Sequence, residues 1–158
     1  MDARILDYMT RYRFKKLVVC NDTDSGLRAV IAIHSTALGP ATGGLRMWTY
    51  DNEHDAIFDA LRLARGMTYK YAAAGVDLGG GKAVIIGDPK RDKSEALMRA
   101  MGRFIDQLGG EYITGEDVGT TLDDMETLYS ETNHVVTLPT HAGGAGDNAL
   151  GEDSGGPA

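Results

Sequence analysis

Cysteine is nearly missing from this chain of 158 residues: Cys20 stands alone, so no intrachain disulfide can form. A lone thiol with no His or carboxylate at activating spacing reads as a small hydrophobe inside a strand. The opening Met1-Asp2-Ala3-Arg4-Ile5 lacks the basic region and apolar stretch of a secretory leader, and the expected compartment is the cytoplasm. Long apolar runs are missing too. The longest, residues 29–33 and 83–86, fall far short of the ~20 residues that span a bilayer, so no membrane segment is expected. Basic charge is in deficit: 16 Lys and Arg face 23 Asp and Glu, and a net charge of -7 leaves no phosphate-neutralising surface for nucleic acid. The histidines His34, His54, His134 and His141 show no i, i+4 pairing and no cysteine partner, so no metal site is expected.

What the chain has in excess is glycine. Twenty-one of 158 residues, roughly twice the average usage, cluster at Gly43-Gly44, Gly79-Gly80-Gly81, Gly109-Gly110 and after Gly143, where backbone geometry must matter. The length suits one domain, and 42% hydrophobic residues are enough for its core. Residues 1–140 are expected to form that domain. Residues 141–158 hold six glycines, three acids and a single large aliphatic, Leu150, and are expected to be a glycine-rich linker or disordered tail.

Local signals order the elements. Two β-rich runs, 16–20 and 27–34, flank the turn formers Asn21-Asp22-Thr23-Asp24-Ser25-Gly26 and predict an antiparallel hairpin. From a cap at Asp51 or Asn52, apolar residues at Ile57, Leu61, Ala64, Met67 and Tyr71 predict one long helix ending at Ala74-Gly75. Val76-Asp77-Leu78 and Gly79-Gly80-Gly81-Lys82 then lead into a strand over 83–86. Asp92 with Glu95 suggests a capping box for a helix whose face is Leu97, Met101, Phe104, Ile105 and Leu108, stopped by Gly109-Gly110. A short strand at 112–114, a helix capped by Thr121 and Asp124 and running to Glu131, and a last strand at 134–136 complete the pattern. The fold class is α/β, a mixed sheet flanked by helices.

Two glycine motifs invite nucleotide readings and fail them. A phosphate loop ending at Gly81-Lys82 would need glycine at Val76 and a hydroxyl residue at Ala83. Gly144-Ala145-Gly146-Asp147-Asn148-Ala149 fits a dinucleotide fingerprint, but only nine residues follow it. Lys82 is therefore either an ordinary turn lysine or a desolvated one, whose lowered pKa lets it trade protons near neutrality. Asp117, at a strand end between Glu116 and Val118, either serves local backbone amides or points inward.

Four ordered motifs carry a resemblance: Leu38-Gly39-Pro40-Ala41-Thr42-Gly43-Gly44-Leu45-Arg46-Met47, Met67-Thr68-Tyr69-Lys70, Gly79-Gly80-Gly81-Lys82 and Thr114-Gly115-Glu116-Asp117-Val118-Gly119-Thr120. Over about residues 5–140 the chain resembles the leucine, valine and phenylalanine dehydrogenases, most of all the leucine enzymes through 12–44 and 67–94. The resemblance implies the substrate and oligomerisation domain of an NAD-dependent oxidative deaminase. Lys70 would grip the substrate α-carboxylate beside the Gly43-Gly44 backbone, with Met47 near the ligand. Lys82 would be the low-pKa lysine that activates water and polarises the reacting carbon, and Asp117 would exchange the amino-group proton.

Thr42 and Gly115 bear on specificity. Glutamate dehydrogenases carry a lysine directly before the glycine pair for the second carboxylate; Thr42 stands there, so the substrate is expected to be an apolar amino acid. Leucine dehydrogenases typically place leucine at that position and alanine at Gly115. Both differences enlarge the pocket, which admits phenylalanine or another bulky side chain. The family's nicotinamide-binding Rossmann domain has no counterpart in these 158 residues, so the chain alone is expected inactive. A non-catalytic relative that binds amino or keto acids, or assembles with full-length dehydrogenases, is the alternative. Expected partners are an amino or 2-oxo acid and further copies of the chain.

Overall fold

In the computed structural model, residues 4–136 are described. The order is α1 (Ile5–Tyr12), β1 (Lys16–Asp22), β2 (Leu27–Ile33), β3 (Ala41–Trp48), α2 (Glu53–Ala74), β4 (Gly79–Ile86), α3 (Glu95–Gln107), β5 (Tyr112–Glu116) and α4 (Leu122–Tyr129). The strands make one mixed sheet, β1-β2-β4-β3-β5, antiparallel on the β1 side and parallel among β4, β3 and β5. This is the α/β class expected. The segment 141–158, its fingerprint-like run and the boundary at 140 lie outside the described residues.

Helices cover both faces, which is why the central strands read as almost continuous apolar runs. Along β2, Ala29, Ile31 and Ile33 join the core beneath α3 and α4, while Val30 and Ala32 join a second core beneath α2. The hairpin forms as read, with the backbone N–H of Ser25 donating to the Asp22 carboxylate and Gly26 taking a positive φ of 80°. Helix α2 is capped by the Asn52 side chain and stopped by left-handed Gly75. A reciprocal Thr121–Asp124 box starts α4, which ends at Tyr129 rather than Glu131.

Four expectations need correction. The cap of α3 is Ser94, whose hydroxyl accepts from the Leu97 N–H; Asp92 instead accepts from the Asp88 N–H in the preceding turn. The run 134–136 contributes one bridge, Val135 to Thr114, instead of a strand. Gly79-Gly80-Gly81-Lys82 is no lead-in loop but the first half of β4, held by pairing to β2 and β3. Two elements, α1 and β3, went unassigned. Strand β3 opens Ala41-Thr42-Gly43-Gly44, in which Thr42 alone favours a strand, and is a strand because it hydrogen-bonds on both sides.

The glycines let layers approach more closely than side chains allow. At Gly80 an added Cβ would lie 2.2 Å from the Thr68 hydroxyl and 2.3 Å from the Thr68 nitrogen and the Ala64 carbonyl oxygen, so the α2 backbone rests directly on β4. Gly66, between Ala64 and Thr68 on the opposite side of α2, is exposed with nothing within 4 Å of that position. Gly80→Ala should therefore lower stability by more than about 2 kcal/mol through overpacking. Gly66→Ala should raise it by about 0.5–1 kcal/mol through helix propensity. Urea unfolding midpoints check both, and the reverse order would overturn this account of how α2 packs.

Candidate active site

Lys82 projects from the middle of β4 on the face shared with Val84 and α2, and is only 5% exposed. An ammonium so placed needs a counter-ion. It has one: its Nζ lies 3.2 Å from Oδ2 of Asp117, the residue that follows β5. The β5 exit is fixed by Thr120, whose hydroxyl accepts from the Asp117 N–H at 3.0 Å and donates to the Leu45 carbonyl of β3 at 2.8 Å. Gly44 makes the approach possible, because a Cβ there would stand 2.8 Å from both the Asp117 Cβ and the Glu116 carbonyl oxygen.

Arg46, two residues further along β3, donates from Nε to the same Asp117 Oδ2 at 2.8 Å and from a terminal nitrogen to Asp59 of α2 at 3.2 Å. Tyr50 donates its hydroxyl to Asp59. Two cations and two carboxylates thus alternate from α2 across the sheet. Burial lowers the pKa of Lys82, and the Arg46 charge adds to that effect against the opposing pull of Asp117. Burial would raise Asp117, but the Arg46 hydrogen bond and the Lys82 charge outweigh it and hold the carboxyl below its ordinary value. Burial and Asp59 raise the Tyr50 phenol.

The α2-side core contains residues of β2, β4 and α2 and none of β3 or β5. Beyond β4, therefore, the sheet continues as a ledge. Gly43 pairs with Thr114 and Gly44 with Gly115 across it, so its backbone lies bare of side chains at those three glycines. Thr42, beside Gly80, is buried and donates its hydroxyl to the Pro40 carbonyl. Lys70 is exposed on α2 and makes no hydrogen bond or ion pair among the described residues. Helical spacing sets it on one face with Asp59 and Met67. Met67 reaches the ledge, its Cγ 3.5 Å from the place of a Cβ on Gly43. A cleft of about 540 Å³ opens on the far side of Arg46, among Trp48, Tyr50, Asp55, Asp59 and Arg62.

The structure thus brings Lys82 and Asp117 into contact, with Gly43, Gly44 and Gly115 beside them and Lys70 along the same helix face. Met47 is the correction. Strand alternation turns it away from Arg46 and Lys82, and it is fully buried in the core under α3, where it cannot meet a ligand on the ledge. Cys20 is buried in β1, its thiol pushed up to about 12 by burial. Arg46, Asp59, Tyr50 and Thr120 were missed; Asp59 stands eleven residues before Lys70, a helical spacing that could have flagged it.

Among the described residues, the start of α2 does not suit the pyrophosphate of NAD. The unit β3–α2–β4 is a parallel crossover, but the Asn52 side chain already caps α2, and Glu53 and Asp55 occupy its first turn. A pyrophosphate would meet repulsion there. Among the described residues no group of three or more His, Cys, Asp and Glu could hold a metal, and no helix is long and apolar enough to cross a membrane.

Fold and site together define the N-terminal domain of an amino-acid dehydrogenase. The solved L-tryptophan dehydrogenase from Nostoc punctiforme superposes with a TM-score of 0.82 at 46% identity, over 85% of this chain and 40% of that one. The family model described as Glu/Leu/Phe/Val dehydrogenase, dimerisation domain, matches residues 14–134, and the chain belongs to that family. It is 59% identical to leucine dehydrogenase from Thermoactinomyces intermedius over 144 residues, 91% of this chain and 39% of that protein. It is 56% identical to phenylalanine dehydrogenase from Bacillus thermotolerans over 149 residues, 94% of this chain and 38% of that one. The chain thus spans about two fifths of the length of these relatives.

The Lys82 shift has a thermodynamic signature. Folding lowers its pKa below the unfolded value of about 10.4, so between the two values the unfolded chain binds more protons and stability rises with pH. Asp117 acts at the other end. Its contribution is present above the unfolded value of about 3.9 and is lost as pH falls through the lower folded value. Subtracting the unfolding free energy of Lys82→Met from that of the wild type should leave a difference that grows as pH rises toward the unfolded value of about 10.4. Urea unfolding at three pH values checks this, and a flat or falling difference contradicts it.

Proposed function

We propose that this domain binds the substrate in an NAD-dependent dehydrogenase that deaminates an apolar L-amino acid oxidatively to its 2-oxo acid and ammonia, acting in the cytoplasm. The observation that carries the reading is the buried Lys82–Asp117 pair at the edge of a ledge stripped of side chains. A small zwitterion needs a cation for its carboxylate, an acceptor for an ammonium proton and close backbone approach at its α-carbon. The ledge offers all three.

Lys70, with no partner among the described residues, grips the α-carboxylate as a compact cation. Asp117, held ionised by Arg46 and Lys82, accepts a proton from the substrate ammonium. Lys82, eased toward its neutral form by burial, takes a proton from the water that adds to the imine carbon left once the α-hydrogen has departed as hydride, and returns it to the nitrogen as ammonia leaves. NAD serves as oxidant in the complete enzyme, bound by residues other than those described. Thr42 contributes no charge and spends its hydroxyl on Pro40, so a side-chain carboxylate would be left unpaired. Thr42 and Gly115, smaller than the residues typical of leucine dehydrogenases at those positions, make leucine, valine and phenylalanine the candidate substrates. Self-association fits the family's description as a dimerisation domain, and edge strand β1, with Val19 69% exposed, offers a surface for it.

Calorimetry on the chain itself should show a branched-chain or aromatic 2-oxo acid binding, and Lys70→Ala should weaken it roughly 10- to 100-fold, the worth of a hydrogen bond to a charged group. With a cofactor-binding domain added, or supplied by a second chain, NADH absorbance with L-leucine, L-valine and L-phenylalanine reports turnover. There Lys82→Ala and Asp117→Asn should each cost on the order of 10²–10⁴ in kcat. No turnover with any of the three would overturn the reading.

A further inference from the structure

Of three groups around Asp117, Asp59 and Tyr50 take no part in the steps above, and Arg46 enters them only as a charge that keeps Asp117 ionised. Their arrangement is directional. The guanidinium of Arg46 spans two carboxylates, Nε on Asp117 at 2.8 Å and a terminal nitrogen on Asp59 at 3.2 Å. The same Asp59 oxygen, Oδ2, also accepts from the Tyr50 hydroxyl, and Oδ1 lies 3.8 Å from Arg62 one turn further along α2. The nearest Asp117 atom to Lys82 is the same Oδ2, at the longer distance of 3.2 Å. One carboxylate oxygen serves two cations, and the arginine holds it more closely.

We propose that Arg46, anchored by Asp59 and Tyr50, is a positioning residue that claims the Asp117 carboxylate and so prevents it from becoming the exclusive counter-ion of the buried Lys82 amine. The inference rests on the reading of Lys82 and Asp117 as the proton-transferring pair. Without Arg46, Asp117 could swing fully onto Lys82. A tight buried pair would then fix the lysine as ammonium and occupy the carboxylate needed by the substrate.

The charges that act on Lys82 come from three elements. From β3, Arg46 repels the ammonium; from the β5 exit, Asp117 favours it; from α2, Asp59 favours it at longer range. Tyr50 is held protonated by burial and Asp59, and Tyr112 of β5 by burial, its hydroxyl bonded to the Gly43 carbonyl, so neither adds charge. Removing Arg46 deletes a repulsion and frees an attraction. Both changes raise the proton affinity of Lys82. An arginine suits the post because its separate nitrogens reach two carboxylates at once, which a single ammonium cannot match.

Titration of the Lys82 ¹³Cε resonance in the 158-residue chain tests this, with the signal assigned by its loss in Lys82→Arg. Arg46→Met should raise the proton affinity of Lys82 on the order of tenfold, about one pH unit in the midpoint. Arg46→Lys, which keeps charge but not the two-carboxylate grip, should fall between Arg46→Met and wild type. Tyr50→Phe changes no charge and should move the midpoint the same way by two- to threefold, through the loosened Asp59 anchor. A purely structural brace would lower stability and leave the midpoint where it is. The proposal is overturned if folded Arg46→Met leaves the midpoint unmoved or lowers it. Should Arg46→Met fail to fold, an unmoved midpoint in Tyr50→Phe overturns it. No substrate enters the measurement, so failure to bind or turn over amino acids would sink the functional reading while this result stood by itself.

Discussion

The structure depends on keeping an ammonium inside a sheet. Lys82 sits between β2 and β3 with apolar residues before and behind it, and an unpaired charge in that position would cost several kcal/mol. The surroundings answer with a four-charge array, Asp59, Arg46, Asp117 and Lys82, that sums to zero. Neutral in total, the array is not evenly shared, since Asp117 divides itself between two cations. That imbalance separates a structural ion pair, settled in one protonation state, from a pair that can move a proton.

Close approach of backbones is the second constraint, and it makes the first possible. At Gly80 the helix rests on the strand, and at Gly44 the β5 exit folds over β3. Side chains at either place would push α2 or Asp117 outward, and shifts of an ångström decide whether charged groups meet. The abundance of glycine thus belongs to the electrostatics as much as to the chain path. Helical spacing then sets Asp59 near the start of α2 and Lys70 near its end on one face of the helix.

How far the sequence revealed this varied with the range of the signal. The β1–β2 hairpin, the Asn52 cap, the Gly75 stop and the Thr121–Asp124 box were legible because a turn or cap is written in four to six neighbouring residues. Strand β3 was not, because glycine hides a strand whose stability comes from partners distant in sequence. Ser94 lost to Asp92 for a similar reason: both suit a cap, and only the backbone path decides which one faces the first turn. Lys82, Asp117 and Lys70 entered through motifs. Met47 was misplaced because a motif gives order along the chain but not the side of the sheet, which alternation settles once the strand is known. Arg46 lay inside a quoted motif and Asp59 outside all of them; their bond joins residues thirteen apart.

The ledge also accounts for where chemistry can occur on this sheet. Ligands of open parallel sheets gather at the carboxyl ends of the strands, and Asp117 and Arg46 lie there on β5 and β3. Lys82 does not; it stands midway along β4. The two nevertheless meet, because the residue that follows β5 folds back over β3 at Gly44 to reach the middle of β4. The charged pair thus joins the carboxyl end of one strand to the centre of another, and the missing side chain at Gly44 is what lets the groups come within 3.2 Å.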